Sequence, residues 1–174
     1  LVHELDALGG EIGRNADATG LQFRLLNTRR GPAVQATRVQ CDKPAYATRM
    51  QNRLTETHGL TLLGDEVTAL RVDGGRVRGV FTAKNGEIEA QAVILTAGTF
   101  LRGTIHIGHE TVCGGGNGQP AANALADQLR QLGFAVARLK TGTPPRLAPD
   151  SIRPERMTEQ AGENPPPHFS WHSR

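Results

Sequence analysis

Residues Ala92 to Gly98 read AVILTAG, and the fold class turns on them. The run is unbroken in apolar character and stops at a glycine, the pattern of a short strand buried on both faces of a parallel sheet. Upstream, TLLGDEVTALRV (61–72) and RVRGVFTA (76–83) are joined to each other and to IEAQAVILTAG (88–98) by DGG and KNGE. Both connectors carry glycine in the manner of hairpin turns. The expected arrangement is an α/β fold in which a small antiparallel meander ends in a buried strand, Ala92 to Thr96. A strand closing on Thr96, Ala97, Gly98 and Thr99 puts backbone groups at the carboxyl edge of a sheet, where open α/β folds bind ligands. Gly98 would let a ligand come close to the main chain. A purely structural strand end has the same pattern, so the motif alone leaves both readings open.

Downstream, TFLRGTIHIGHETVCGGGNGQP (99–120) is a polar, glycine-rich connection. Its GGGNG, Gly114 to Gly118, departs from the G-x-G-x-x-G dinucleotide fingerprint because Gln119 stands where the third glycine is due. A looser turn leading into a helix N-terminus could still offer N–H groups to a phosphate or carbonyl oxygen; a plain flexible loop reads the same way. Pro120 then opens PAANALADQLRQLG, a helix with Leu125, Leu129 and Leu132 on one face and Gly133 as its stop. After a short strand, Phe134 to Leu139, comes LKTGTPPRL (139–147). Pro144 and Pro145 fix φ and lack an N–H, so the segment is a stiff loop. Lys140 and Arg146 bracket it, and the N–H groups of Thr141, Gly142 and Thr143 could meet an anion. A surface turn with solvated charges is the alternative. From Thr143 onward prolines accumulate and periodicity fades, which places a linker or domain boundary there.

Toward the amino terminus, Tyr46, Met50 and Leu54 recur at four-residue steps between Pro44 and His58, and Gly59 follows: an amphipathic helix with a glycine stop. From Arg24 to Arg53 seven cations (Arg24, Arg29, Arg30, Arg38, Lys43, Arg49, Arg53) stand against one acid, Asp42, although the chain carries only +3 overall. Such a patch attracts phosphates, of a dinucleotide or of an RNA backbone, in a salt-dependent manner; a solvated helix face has the same composition. Aromatic content of 4% excludes the stacking platform of single-strand binders.

The 174 residues could bury one sizeable core, and no apolar run reaches the roughly 18 residues of a membrane helix. The opening LVHELDALGG, without an initiator Met, suggests an internal fragment. Cys41 and Cys113 stand apart, with no CxxC and no paired histidine spacing, which points to a reducing compartment and away from a metal site. The six histidines show no metal or triad spacing, and Asp65 and Glu66 read as solvated charge in a turn. No catalytic dyad emerges.

Taken together and in order, DALGG, GLQFRLLNTRRGPAVQATRVQCD, AVILTAGTFLRGTIHIG and RLKTGTPPR resemble the MnmG (GidA) family of FAD-dependent tRNA uridine 5-carboxymethylaminomethyl modification enzymes, from Val2 to about Trp171. The resemblance implies a glutathione-reductase-like FAD-binding domain: residues 1–142 as its middle portion, and 143–174 as a linker and the start of an inserted domain. It implies FAD, NADH bound mostly outside this chain, and methylene-tetrahydrofolate as one-carbon donor. The implied partners are tRNA, an MnmE-like GTPase and, in the complete protein, a second copy; the implied location is the cytoplasm, with no membrane. By similarity Val67 takes a position whose backbone meets the FAD adenine, and Ala122 takes another flavin-contacting position where relatives often carry Ser. Thr96, Ala97, Gly98 and Thr99 would border the cofactor. Lys140, Thr141, Gly142, Thr143 and Arg146 would lie at the flavin face or on RNA phosphate, and Arg29, Arg30 and Arg38 are further RNA candidates. Neither Cys41 nor Cys113 matches the family's functional cysteines, so the nucleophile is expected outside this chain. A folate- and FAD-dependent tRNA uridine methyltransferase and a non-enzymatic basic RNA-binding fragment are the rival readings.

Overall fold

The computed structural model describes residues 1–145 and 147–173, with Asn117 described by its backbone alone. The chain forms two units, Leu1–Leu62 with Leu147–Arg174, and Leu63–Arg146.

In the first unit, helices α1 (Val2–Ala7) and α2 (Ile12–Thr19) lead into a hairpin of β1 (Gly20–Leu26) and β2 (Ala36–Cys41), followed by α3 (Lys43–Glu56). The α3 start is set by Asp42, whose carboxylate accepts the N–H of Ala45 at 2.9 Å, with Pro44 in the first turn. Tyr46, Met50 and Leu54 form its half-buried stripe, as their spacing predicts, and α3 packs on α2. Polar groups hold this unit together. Asn15 is fully buried; its amide donates to the carbonyl of Tyr46 at 3.0 Å and ties α2 to α3. The segment ending the chain folds back onto the two amino-terminal helices. Asp17 accepts the N–H groups of Phe169 and Ser170 at 2.9 and 2.8 Å. Asp6 accepts the Ser170 hydroxyl at 2.7 Å and the Trp171 N–H at 3.0 Å. The Ser170 hydroxyl, the Trp171 N–H and the charges of His172 and Arg14 hold the Asp6 carboxyl below its usual range, against the opposing effect of burial. Residues 169–171 are therefore bonded to α1 and α2.

The second unit contains the expected meander. Strands β3 (Val67–Asp73), β4 (Arg76–Thr82) and β5 (Gly86–Glu89) form an antiparallel sheet in that order. Gly74 and Gly75 turn the first hairpin at φ 54° and 74°, where side chains other than glycine are strained. The second connection is organised by Asp65, which the sequence suggested was merely solvated. Its carboxylate accepts the N–H groups of Lys84 and Asn85 and the Asn85 amide, the last at 2.7 Å. Burial pushes the Asp65 carboxyl up, but hydrogen bonds from Asn85, Thr82, Glu66 and Lys84 outweigh it and hold the group far below its usual range. A further hairpin, β6 (Thr104–Ile107) with β7 (Glu110–Cys113), fills part of the expected glycine-rich connection, and α4 (Asn123–Gln131) follows.

Two expected strands are absent among the described residues. Ala92 to Thr96 and Phe134 to Leu139 run without strand pairing; Ile94 is 86% and Leu139 89% exposed. A parallel strand exists only between neighbours that pair with it and layers that cover it, and every named strand pair described here is antiparallel. The apolar pattern is present, but its partners are not among the described residues. The apolar core is correspondingly small. Among the described residues Ala16, Leu125 and Ala126 are the buried hydrophobic ones, against Asp6, Asn15, Thr82 and Ser170 as buried polar ones.

Candidate functional site

Thr96 to Thr99 do not end a strand. They enter a turn in which Gly98 has φ 57° and Phe100 donates its N–H to the Ala97 carbonyl at 3.3 Å. The turn is bonded to Ala122 from both sides: Ala122 donates to the Phe100 carbonyl at 2.9 Å, and Arg102 donates to the Ala122 carbonyl at 3.2 Å. These bonds make the parallel bridge between Leu101 and Ala122, and they explain why α4 begins at Asn123 rather than at Pro120. The structure thus brings together two of the stretches singled out in the sequence, the small-residue turn and the position after the glycine-rich loop.

The glycine-rich loop completes this arrangement. Gly114 donates to the Gly103 carbonyl at 3.0 Å and Gly115 to the Gln119 carbonyl at 2.8 Å. A Cβ on Gly115 would run into the Phe100 ring, so the ring occupies the space that any other residue would need. Ala122 caps α4 with no side-chain acceptor for the first N–H groups of the helix. A helix start of that kind suits an oxygen acceptor supplied from outside the chain. Exposed backbone on the turn, an uncapped helix start beside it and a close-packed glycine loop fit a cofactor held mainly by main-chain groups.

Val67 begins β3, an edge strand, opposite Thr82. It reaches the same assembly through α4, whose Gln128 amide bonds the N–H and carbonyl of Leu70 on β3 at 2.6 and 2.8 Å. Lys140, Thr141, Gly142 and Thr143 are exposed and outside regular structure. The chain leading to them is tethered, since the Arg138 guanidinium donates to the Arg102 carbonyl at 2.8 Å. Lys140, two residues on, therefore lies within about 7 Å of the Arg138 Cα. Arg146 lies outside the described residues.

The basic patch is narrower than its sequence count. Arg49 and Arg53 on α3 share the one carboxylate of Glu11 at 3.7 and 2.8 Å, so part of their charge is offset, most of all that of Arg53. Arg24 and Arg38 sit directly opposite each other across β1 and β2, bonded among the described residues to neutral Gln160 and Gln22 at 3.0 and 3.4 Å. Like charges in that register repel. Arg38 also keeps a buried Nε with no hydrogen-bond partner. Arg29 and Arg30 are exposed in the connection between the two strands. Among the described residues, the patch cations without an acidic partner are thus Lys43 on α3 and the four arginines of the hairpin. Sequence reasoning did not find β1, β2, β6 or β7. The signals were there in TIHI and ETVC around Gly108-His109, the form of a two-residue hairpin.

No helix among the described residues is long and apolar enough to cross a membrane, and among them no group of His, Cys, Asp or Glu is placed to hold a metal ion.

The family model described as "Glucose inhibited division protein A" matches residues 1–174. A protein of Geobacter sulfurreducens, named tRNA uridine 5-carboxymethylaminomethyl modification enzyme MnmG, is 52% identical over 171 residues, 98% of this chain and 27% of its own length. The protein of that name from Myxococcus xanthus is 48% identical over 174 residues, all of this chain and 28% of its own length. The solved structure of Aquifex aeolicus GidA in its form II crystal superposes with a TM-score of 0.88 at 42% identity, covering 98% of this chain and 28% of that one. The chain therefore spans about a quarter of the length of the relatives it matches. With a family model matched from the first residue to the last, this chain belongs to the glucose inhibited division protein A family.

Proposed function

We propose that this chain is a segment of an FAD-dependent enzyme that modifies the wobble uridine of tRNA toward a 5-carboxymethylaminomethyl group. The observation that carries the reading is the 52% identity over 98% of the chain to a protein named for that activity. In this reading residues 1–142 are the middle portion of a glutathione-reductase-like FAD-binding domain, and 143–174 lead into an inserted domain. Thr96 to Thr99, Ala122 and Val67 contact the cofactor through their backbones. The turn at Gly98 and the uncapped start of α4 support this, because both present main-chain groups rather than side chains. FAD, when bound, supplies the redox chemistry, with NADH as reductant and methylene-tetrahydrofolate as the one-carbon source.

The residues of this chain bind and orient. In this reading Lys140 and the N–H groups of Thr141 to Thr143 supply positive charge and donors that favour an anionic group over a neutral one. Arg24, Arg29, Arg30 and Arg38 hold RNA phosphates through the hairpin. The complete enzyme works as a cytoplasmic homodimer with an MnmE-like GTPase. The test is to isolate the complete protein and analyse the nucleosides of tRNA from cells with and without it. Copurified FAD and loss of the modified wobble uridine on deletion are expected. A colourless protein, or unchanged tRNA, would overturn the reading.

A further inference from the structure

Helices α2 and α3 and the returning segment at 168–173 line an open cleft of about 420 Å³ in the first unit. Its lining is cationic and imidazole-rich: Arg14, Arg49, His168 and His172, with Ser173 and one carboxylate, Asp17. The Asp17 oxygens are engaged by the backbone N–H groups of Phe169 and Ser170. Arg14 stands 3.8 Å from Asp6 and 3.7 Å from Glu11, and Arg49 donates to the Asn15 amide oxygen at 3.3 Å and stands 3.7 Å from Glu11. His168 Nδ1 is 3.8 Å from Asp17. The Nε of Arg14 and the Nδ1 of His168 are buried and have no hydrogen-bond partner among the described residues.

A buried donor without an acceptor is costly, and two such nitrogens on residues lining one cleft mark a place where an acceptor belongs. The ligand must bring oxygens that accept from guanidinium and imidazole together, and it must be compact. Phosphate does this, because guanidinium groups match its oxygens in short charge-assisted bonds. We propose that the cleft between α2, α3 and the 168–173 segment is a phosphate-binding site, with Arg14, Arg49, His168 and His172 as its ligands. The phosphate is either that of a small ester or one from an RNA backbone. Because the returning segment supplies both histidines, an occupied site would also fasten that segment to α2 and α3. The proposal is independent of the flavin and tRNA readings, and its test contains neither flavin nor turnover.

The test titrates the chain with inorganic phosphate at fixed pH and ionic strength, following the imidazole signals of His168 and His172 by NMR. Saturable shifts of both signals at millimolar phosphate are expected. Arg49→Gln should weaken binding about tenfold and His172→Gln about fivefold, as loss of charge-assisted bonds implies. Arg76→Gln, in the other unit, should leave it unchanged. Circular dichroism verifies folding; His172 is exposed, so His172→Gln decides the matter if Arg49→Gln does not fold. Absence of saturation up to about 50 mM phosphate, weaker than any useful affinity, overturns the proposal, as does equal affinity in all variants. Displacement of phosphate by adenosine 5′-monophosphate but not by tRNA assigns the site to a small ester, and displacement by tRNA assigns it to the RNA backbone.

Discussion

Gln128 on α4 lies along the backbone of Leu70 on β3, accepting its N–H at 2.6 Å and donating to its carbonyl at 2.8 Å. The side-chain amide thus stands in for a neighbouring strand at the open edge of the meander and locks the helix to the sheet. Gln128→Leu removes both bonds and leaves two half-buried main-chain groups unpaired. A loss of about 2 kcal/mol is expected in urea unfolding. Gln128→Glu keeps an acceptor but loses the donor, so its loss should be smaller. Equal stability of all three proteins would mean that α4 is held by apolar contact alone.

Acid should loosen both units. The carboxyls of Asp65 and Asp6 are held below their usual range in the folded chain, so each binds a proton less readily folded than unfolded. Their contribution is therefore complete above the unfolded value of about 4 and is lost as pH falls through the lower folded values. Urea midpoints should be flat from pH 7 to about pH 5 for these groups and fall below about pH 4. In Asp65→Asn the fall should shrink, with part of the loss already present at pH 7. A midpoint in that variant matching the parent at every pH would remove Asp65 as the organiser of the turn.

The meander, α3 and α4 were legible because each is decided by neighbours in sequence: alternation with glycine turns at 73–76, a proline-led start and a four-residue stripe at Tyr46, Met50 and Leu54. What was not legible is decided at long range. Ala92 to Thr96 has the composition of a buried strand, yet a strand needs a partner, and none is described beside it. The bond between Ala122 and the turn at Phe100 joins residues 22 apart in sequence. The returning segment, held by Asp6 and Asp17, carries no periodic signal at all. Two of the seven patch cations proved to be paired with Glu11, an acid outside the counted window.

The apolar side chains left exposed have their own consequence. Ile94 and Leu139 are nearly fully open, and Phe134 is 61% exposed, all in the second unit. Exposed apolar surface of this extent binds hydrophobic dyes and partners. The chain expressed alone is expected to enhance the fluorescence of an anilinonaphthalene dye at neutral pH while keeping its far-ultraviolet dichroism. Ile94→Lys with Leu139→Lys should abolish most of that signal without loss of secondary structure. A dark dye with the parent chain would mean that these residues are covered.

If the hairpin carries RNA, its charges must act through counterion release. Arg29→Gln with Arg30→Gln, in the complete protein, should flatten the slope of log affinity for tRNA against log salt by about two units. Arg53→Gln is the comparison, because its charge is compensated by Glu11 at 2.8 Å and its loss should leave the slope nearly unchanged. Similar slopes for all three proteins would remove the hairpin from the RNA interface.

Lys140 is exposed and outside regular structure, so Lys140→Ala should leave the unfolding midpoint within about 0.5 kcal/mol of the parent. In the complete protein it should still lower turnover or tRNA affinity if the loop serves an anion. Gly115→Ala makes the opposite prediction. Its Cβ would press on the Phe100 ring, which is packed beside the turn that carries Thr96 to Thr99, and so should destabilise the second unit by about 1–3 kcal/mol. Phe100→Leu in the Gly115→Ala background removes part of the ring and should restore some of that loss, so the double variant should be more stable than the sum of the single changes. Simple additivity would mean that the ring and the glycine loop do not share the contact, and that the turn is held open by the Ala122 bonds alone.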